Sequence, residues 1–128
     1  MSPIILVVDD SKNARSAVAF ILKSKGYEVV EAGDGEEALE RFRERRPDLV
    51  LADALMPRKN GYELCAALKG LMSTRGIPVI LLTGQADTAD GTVKRWNPDL
   101  RPDEIIAKPF KIQDLVDRIA AHLPATKC

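Results

Sequence analysis

The chain has little cysteine, no net charge and no long apolar run, and each of these absences excludes a class of protein. Among 128 residues there are two cysteines, Cys65 and Cys128. That is too few for a disulfide framework and suits a reducing cytoplasm. Nineteen basic residues balance nineteen acidic ones, so global charge gives no attraction to nucleic acid or to an anionic membrane. The apolar runs are too short to span a bilayer, and no signal peptide is recognisable. We therefore expect a cytoplasmic protein.

What the chain does contain is a regular alternation of apolar strands and amphipathic helices. Hydrophobic residues make up 45% of the sequence, enough for a core in a single domain spanning 1–128, with its folded core at about 4–123. Helical spacing of apolar residues follows each of five short apolar runs. This alternation predicts an α/β fold, a doubly wound parallel sheet with helices on both faces. The predicted strands are 4–8, 27–32, 48–53, 79–82 and 104–107.

The ends of the helices are predicted from local residues. Either Ser11 or Asp10 can cap the first helix, and Gly26 ends it. A helix over about 61–73 follows the third strand, with Leu71 in its apolar stripe.

The last helix starts at Lys111, where a serine or threonine cap would be more favourable. His122 lies in its last turn, where a cation complements the helix dipole.

Polar side chains with chemical potential lie where four of these strands end. Asp9 and Asp10 follow the first strand and Asp53 ends the third. Thr83 follows the fourth, and Lys108 follows the fifth. In a doubly wound sheet, ligands bind beyond the carboxyl ends of the strands, so we expect these side chains to meet at one edge.

Three carboxylates brought together repel one another and require a cation. Mg²⁺ suits oxygen ligands and shares its coordination shell with phosphate oxygens. It would let an anionic phosphoryl group approach Asp53, which would attack phosphorus and form an acyl phosphate. Lys108 would neutralise one phosphate oxygen and the Thr83 hydroxyl would donate a hydrogen bond to another. The sequence thus predicts a phosphoryl-accepting site.

These residues and their order resemble the response-regulator receiver domain, the phosphoacceptor module of two-component signalling. The resemblance covers about 4–123 and implies a flavodoxin-like sheet with strand order 2-1-3-4-5. The segments that carry it are Val8-Asp9-Asp10, the loop Asp53…Met56-Pro57…Gly61, Thr83, and Lys108-Pro109-Phe110.

The resemblance implies a role for each matching residue. Asp53 would be the phosphoacceptor, Asp10 a direct Mg²⁺ ligand, and Asp9 a ligand through water or beside it. The backbone carbonyl of Leu55 would complete the protein's share of the coordination shell. The phosphoryl oxygens would be held by Thr83 and Lys108.

The family also implies partners and a mode of action. The donor would be a phosphohistidine on a sensor histidine kinase or a histidine phosphotransfer protein. Phosphorylation would shift the population of loop conformations and so control a downstream protein target or a fused output domain. The chain would be a signalling phosphoacceptor rather than an enzyme, although it assists its own phosphorylation and dephosphorylation. The sequence leaves open whether it acts alone or as part of a longer protein.

Two features depart from the family pattern. An aromatic residue commonly lies three positions before the lysine, where this chain has Ile105. The segment 85–101 is rich in helix breakers, and it predicts only a short helix around 89–96. These departures concern how a signal is transmitted rather than how a phosphoryl group is accepted.

Three other functions are alternatives to a phosphoacceptor on a sheet of this kind. A phosphatase with an aspartyl nucleophile requires Asp-x-Asp after the first strand, but Asp9 is followed two positions later by Ser11. A flavin carrier requires a hydroxyl-rich phosphate loop there, and Asp9 and Asp10 would repel a phosphate. The alternative that remains is a receiver-like adaptor that binds partner proteins without phosphorylation. Ile105 is compatible with that alternative, whereas the acidic residues, Thr83 and Lys108 oppose it.

Overall fold

Five parallel strands form one sheet in the part of the chain described by the computed structural model, which comprises residues 3–53, 61–71, 74, 76–83, 102–108 and 110–123. The strand order is β2-β1-β3-β4-β5, and every neighbouring pair is parallel. The fold class and the strand order predicted from the sequence are therefore confirmed. The strands are β1 (Ile4–Val8), β2 (Glu28–Ala32), β3 (Leu49–Asp53), β4 (Val79–Thr83) and β5 (Glu104–Ala107).

Four helices lie within the same described ranges, and they cover both faces of the sheet. They are α1 (Lys12–Ser24), α2 (Gly35–Glu44), α3 (Gly61–Lys69) and α4 (Ile112–His122). No helix among them is long and apolar enough to cross a membrane. The short helix predicted around 89–96 lies outside the described residues.

The strands at the centre of the sheet are apolar at successive positions because both of their faces are covered. On one face, alternate residues of β1, β3 and β4 pack against α2 and α3: Leu6, Val8, Val50, Ala52, Val79 and Leu81 meet Ala38, Leu64, Cys65 and Leu68. On the other face, the intervening residues pack against α1 and α4: Ile5, Val7, Leu49, Leu51, Ile80 and Leu82 meet Leu22, Leu115 and Ile119. The two clusters fix the register of the strands, since a shift of one residue would exchange the faces.

The first helix begins and ends at residues with clear local causes. The Ser11 hydroxyl accepts a hydrogen bond from the Ala14 amide at 3.3 Å and caps the amino end. The sequence had left Asp10 and Ser11 as alternatives for this role. Gly26 follows the helix with φ of +96°, a left-handed conformation that favours glycine.

The third helix is shorter than the sequence predicted. A helix over about 61–73 was expected, with Leu71 in its apolar stripe, but α3 ends at Lys69 and Leu71 is 58% exposed. The Thr74 hydroxyl donates a hydrogen bond to the Leu68 carbonyl oxygen, which satisfies an acceptor at the end of the helix. The helical spacing of apolar residues in the sequence therefore continues beyond the last residue of α3, whereas Gly70 and the Thr74 hydrogen bond end the helix itself.

The last helix is attached to the amino end of β5 by charged side chains. No side chain caps α4 at Lys111, as the sequence indicated. The Glu104 carboxylate lies 2.8 Å from His122 Nε2 and is also paired with Arg118. The histidine was expected only to complement the helix dipole, and the sequence did not indicate its pairing with a residue eighteen positions earlier.

Candidate functional site

The carboxyl ends of four adjacent strands bring the predicted site residues to one edge of the sheet. Thr83 and Asp53 are the last residues of β4 and β3, and Asp9 and Asp10 directly follow β1. Lys108 follows β5, and its backbone amide donates to the Thr83 carbonyl oxygen at 2.7 Å. The prediction that these side chains meet at one edge is therefore confirmed.

The three aspartates form a compact acidic cluster. Asp9, Asp10 and Asp53 each offer a carboxylate oxygen, and these oxygens lie within 4.8 Å of one another. Asp9 is buried, Asp53 is half-buried and Asp10 is exposed, so the cluster opens to solvent on the side of Asp10. Oxygen donors in this arrangement fit a hard divalent cation such as Mg²⁺, and they do not fit a soft metal that prefers sulfur.

The surroundings of Asp9 oppose its negative charge. Burial raises the pKa of the Asp9 carboxyl, and the neighbouring charge of Asp53 raises it further. The Ser11 backbone amide, which donates to Asp9 Oδ1 at 2.9 Å, lowers that pKa in part. A cation bound to the cluster would stabilise the ionised form of Asp9.

Lys108 places a positive charge in direct contact with a carboxylate of the cluster. Its Nζ lies 3.1 Å from Asp53 Oδ1, while 40% of the lysine side chain and 14% of the aspartate side chain are exposed. The ion pair spans 55 residues of sequence and joins the ends of β3 and β5. A phosphoryl group attached to Asp53 would lie within reach of this ammonium group.

Thr83 is fully buried, yet its hydroxyl oxygen has no hydrogen-bond partner among the described residues. A buried hydroxyl without a partner loses its hydrogen bonds to water and gains none in exchange. Such a group at a ligand site is available to donate to an incoming oxygen. Among the other sequence predictions, Leu55 lies outside the described residues. Ile105 is half-buried and pairs with Leu81 in the sheet.

Sequence reasoning missed Arg15, which contacts the backbone of the acidic cluster. Its Nη1 donates to the Asp9 carbonyl oxygen at 2.8 Å, and its Nε pairs with Glu31 Oε1 at 3.0 Å. An arginine one turn after the Ser11 cap was the available signal. Helical spacing places it near the start of α1, close to the acidic residues.

Comparison with known proteins identifies the family and agrees with the fold. The profile of the response regulator receiver domain matches residues 5–120, and the chain belongs to this family. A curated relative, the DNA-binding response regulator MtrA of Mycolicibacterium paratuberculosis, is 38% identical over 119 residues, covering 93% of this chain and 50% of that protein. The chain therefore spans about half the length of that relative.

Other relatives match over most of their own length. Protein PilG of Pseudomonas aeruginosa is 34% identical over 124 residues, covering 94% of this chain and 87% of PilG. A solved receiver domain of a signal transduction histidine kinase from Syntrophus aciditrophicus superposes with a TM-score of 0.85 at 33% identity. That match covers 98% of this chain and 96% of the other.

Proposed function

We propose that this receiver domain accepts a phosphoryl group on Asp53 from a phosphohistidine donor, in a reaction that depends on Mg²⁺. The observation that carries the proposal is the position of the Asp53 carboxylate. One of its oxygens lies 3.1 Å from the Lys108 ammonium, and its carboxylate lies within 4.8 Å of those of Asp9 and Asp10. An acidic side chain that contacts both a fixed cation and a potential metal site is suited to carry a doubly charged group.

The proposed reaction is a displacement at phosphorus. An oxygen of Asp53 forms a bond to phosphorus while the bond from phosphorus to the donor's imidazole nitrogen breaks, and the imidazole leaves with the bonding electrons. Lys108 then pairs with one phosphoryl oxygen, and the buried Thr83 hydroxyl donates a hydrogen bond to another. The unpartnered Thr83 hydroxyl supports this role.

Asp9, Asp10 and Asp53 would hold Mg²⁺ together with the backbone carbonyl of Leu55. Mg²⁺ bound there would offset the carboxylate charge and lower the cost of bringing in an anionic phosphoryl group. The donor would be a sensor histidine kinase or a histidine phosphotransfer protein. The output would be control of a protein target or of an output domain in the same polypeptide, without nucleic-acid or membrane contact by this domain.

The first test is the intact mass after incubation with a small-molecule phosphodonor such as acetyl phosphate. We expect a gain of one phosphoryl group in the presence of Mg²⁺ and none in its absence. The variant Asp53→Asn should show no gain, because an amide is a far weaker nucleophile than a carboxylate. The control is Asp117→Asn, since Asp117 is exposed on α4 and accepts a hydrogen bond from Gln113 within its own helix.

Two outcomes would contradict the proposal. A phosphoryl gain that persists in Asp53→Asn would place the modification on another residue. A wild-type protein that is modified neither by acetyl phosphate nor by a panel of phosphorylated histidine kinases and phosphotransfer proteins would favour the adaptor function. In that case, partners should bind the unmodified chain.

A further inference from the structure

We propose that Arg15 is a positioning residue that holds the Asp9–Asp10 segment in the geometry needed to bind a divalent cation. The inference rests on the proposed function of the acidic cluster. Arg15 itself is not a metal ligand, because a protonated guanidinium group has only donors and cannot ligate a cation. It acts on the backbone from which two of the carboxylates project.

The backbone of Asp9 lies at the point where the sheet ends. Its amide still donates to the Ala32 carbonyl oxygen of β2 at 3.1 Å, one residue past the last residue of β1. Its carbonyl oxygen instead accepts a hydrogen bond from Arg15 Nη1 at 2.8 Å. The arginine side chain thus donates the hydrogen bond that a neighbouring strand would otherwise supply to the Asp9 carbonyl. Asp10 is the next residue in the chain.

The guanidinium group is held at a second point. Arg15 Nε lies 3.0 Å from Glu31 Oε1 on β2, and only 17% of the arginine side chain is exposed. Arg15 therefore connects α1, the end of β1 and the neighbouring strand β2. A charge-assisted contact at two sites of one planar group restrains orientation as well as distance.

The adjoining turn leaves room for this arrangement. A Cβ atom at Gly33 would lie 3.6 Å from Arg15 Nη1 and 3.3 Å from Glu37 Oε1. Glu37 Oε1 also accepts a hydrogen bond from the Gly33 amide at 2.7 Å. The end of β2 is therefore ordered by its own contacts, which gives Glu31 a fixed position from which to hold Arg15.

The Asp9 side chain is fixed separately, because its Oδ1 accepts the Ser11 amide at 2.9 Å. Asp9 is thus restrained by its amide, its carbonyl and its carboxylate. Loss of the carbonyl contact would free the peptide unit between Asp9 and Asp10. Repulsion among three carboxylates would then move them apart and weaken a site that depends on their convergence.

The direction of the change in Mg²⁺ affinity on removing Arg15 distinguishes a positioning role from a purely electrostatic one. Removing a positive charge close to a cation site should by itself tighten cation binding. If Arg15 positions the site, its removal should weaken binding instead. Residues that orient metal ligands from outside the coordination shell typically change affinity by about 10- to 100-fold.

The test is a titration of the unphosphorylated protein with MgCl₂, followed by backbone amide chemical shifts. We expect the Kd for Mg²⁺ to rise about tenfold in Arg15→Met. Arg15→Lys keeps the charge but cannot reach Asp9 and Glu31 together, so it should also bind more weakly. Arg118→Met is the matched control, because Arg118 pairs with Glu104 at the amino end of β5, opposite the acidic cluster, and should leave the Kd unchanged.

A second readout distinguishes positioning from a general loss of stability. The rate of phosphorylation of Arg15→Met should approach the wild-type rate when Mg²⁺ is raised to saturation, because only occupancy of the site has changed. If Arg15→Met does not fold, Arg15→Lys takes its place, because it keeps the positive charge, so electrostatics alone predicts no change, and loss of the paired contacts should still raise the Kd.

The outcomes also separate this inference from the proposed function. A wild-type protein that binds no Mg²⁺ would overturn both. Wild-type binding that is lost in Asp10→Asn but is unchanged or tighter in Arg15→Met would overturn the role of Arg15 alone. With Arg15→Lys as the only folded variant, an unchanged Kd would have the same consequence.

Discussion

At the scale of single residues, Thr83 shows how a site can be prepared at the expense of stability. Its side chain is fully buried at the end of β4, and its hydroxyl has no partner among the described residues. An apolar side chain of the same shape would avoid the desolvation cost of that hydroxyl. The presence of threonine here is explained by a ligand oxygen that the proposed phosphoryl group would supply.

We therefore expect Thr83→Val to increase the free energy of unfolding of the unphosphorylated protein by about 1 kcal/mol. Urea denaturation would measure the change. The control is Thr74→Val, because the buried Thr74 hydroxyl donates to the Leu68 carbonyl oxygen and its loss should destabilise by about 1 kcal/mol. Equal destabilisation of both variants would show that Thr83 has a partner in the resting protein.

Burial also makes the thiol of Cys65 a poor nucleophile. Desolvation raises the pKa of the Cys65 thiol to about 12, and the residue lies fully within the core. A thiol in this state is not ionised at neutral pH and is not reactive. Cys65 is therefore not a rival to Asp53 as the proposed phosphoacceptor.

At the scale of elements, the sequence predicted the end of one helix correctly and the end of another wrongly. Gly26 was predicted to end the first helix, and its φ of +96° explains why glycine lies there. Leu71 was predicted to continue the apolar stripe of the third helix, but α3 ends before it. Apolar spacing indicates which face a helix buries, whereas the terminating hydrogen bond of Thr74 depends on how the following turn folds back.

The turn after α1 allows a test of backbone conformation without a change in packing. A Cβ atom at Gly26 would meet no atom within 4 Å, so Gly26→Ala should destabilise only through the left-handed backbone, by about 1 kcal/mol. Gly76→Ala is the control, since it also has open space and no positive φ. Differential scanning calorimetry should show a lower Tm for Gly26→Ala than for Gly76→Ala, and equal values would contradict the argument.

At the scale of the whole molecule, the amino and carboxyl ends of the parallel strands carry different sets of polar contacts. The amino ends of β4 and β5 are joined by Lys69, which is 5% exposed and donates to Asp103 Oδ2 at 2.6 Å and to the Ile77 carbonyl oxygen at 3.0 Å. Asp103 Oδ2 also accepts the Val79 amide at 2.8 Å. These amino ends lie opposite the acidic cluster, and we expect their contacts to contribute to stability rather than to cation binding.

We expect Lys69→Met to lower the free energy of unfolding by about 2 kcal/mol, because hydrogen bonds from a buried ammonium are lost. The folded variant should bind Mg²⁺ with the wild-type Kd, since the site is at the other end of the strands. Urea denaturation and MgCl₂ titration would measure the two quantities, with exposed Lys111→Met as the control. A higher Kd for Mg²⁺ without a loss of stability would contradict the assignment of Lys69 to stability rather than to cation binding.

The sequence by itself determined the strands, their parallel arrangement and the residues at their carboxyl ends. Apolar runs of strand length interrupted by helical spacing permit few architectures, and such a sheet brings the ends of its strands together. Asp9, Asp10, Asp53, Thr83 and Lys108 were therefore identifiable from their positions alone.

Only the tertiary structure decided which side chains hold these residues in place. The contact of Arg15 with the Asp9 carbonyl and the pairing of His122 with Glu104 depend on how helices lie against the sheet. That the buried Thr83 hydroxyl has no partner among the described residues is likewise a property of the folded chain. Periodicity reports which face of an element is buried, but the partner of a polar atom is set by residues distant in the chain, so it becomes visible only in the assembled fold.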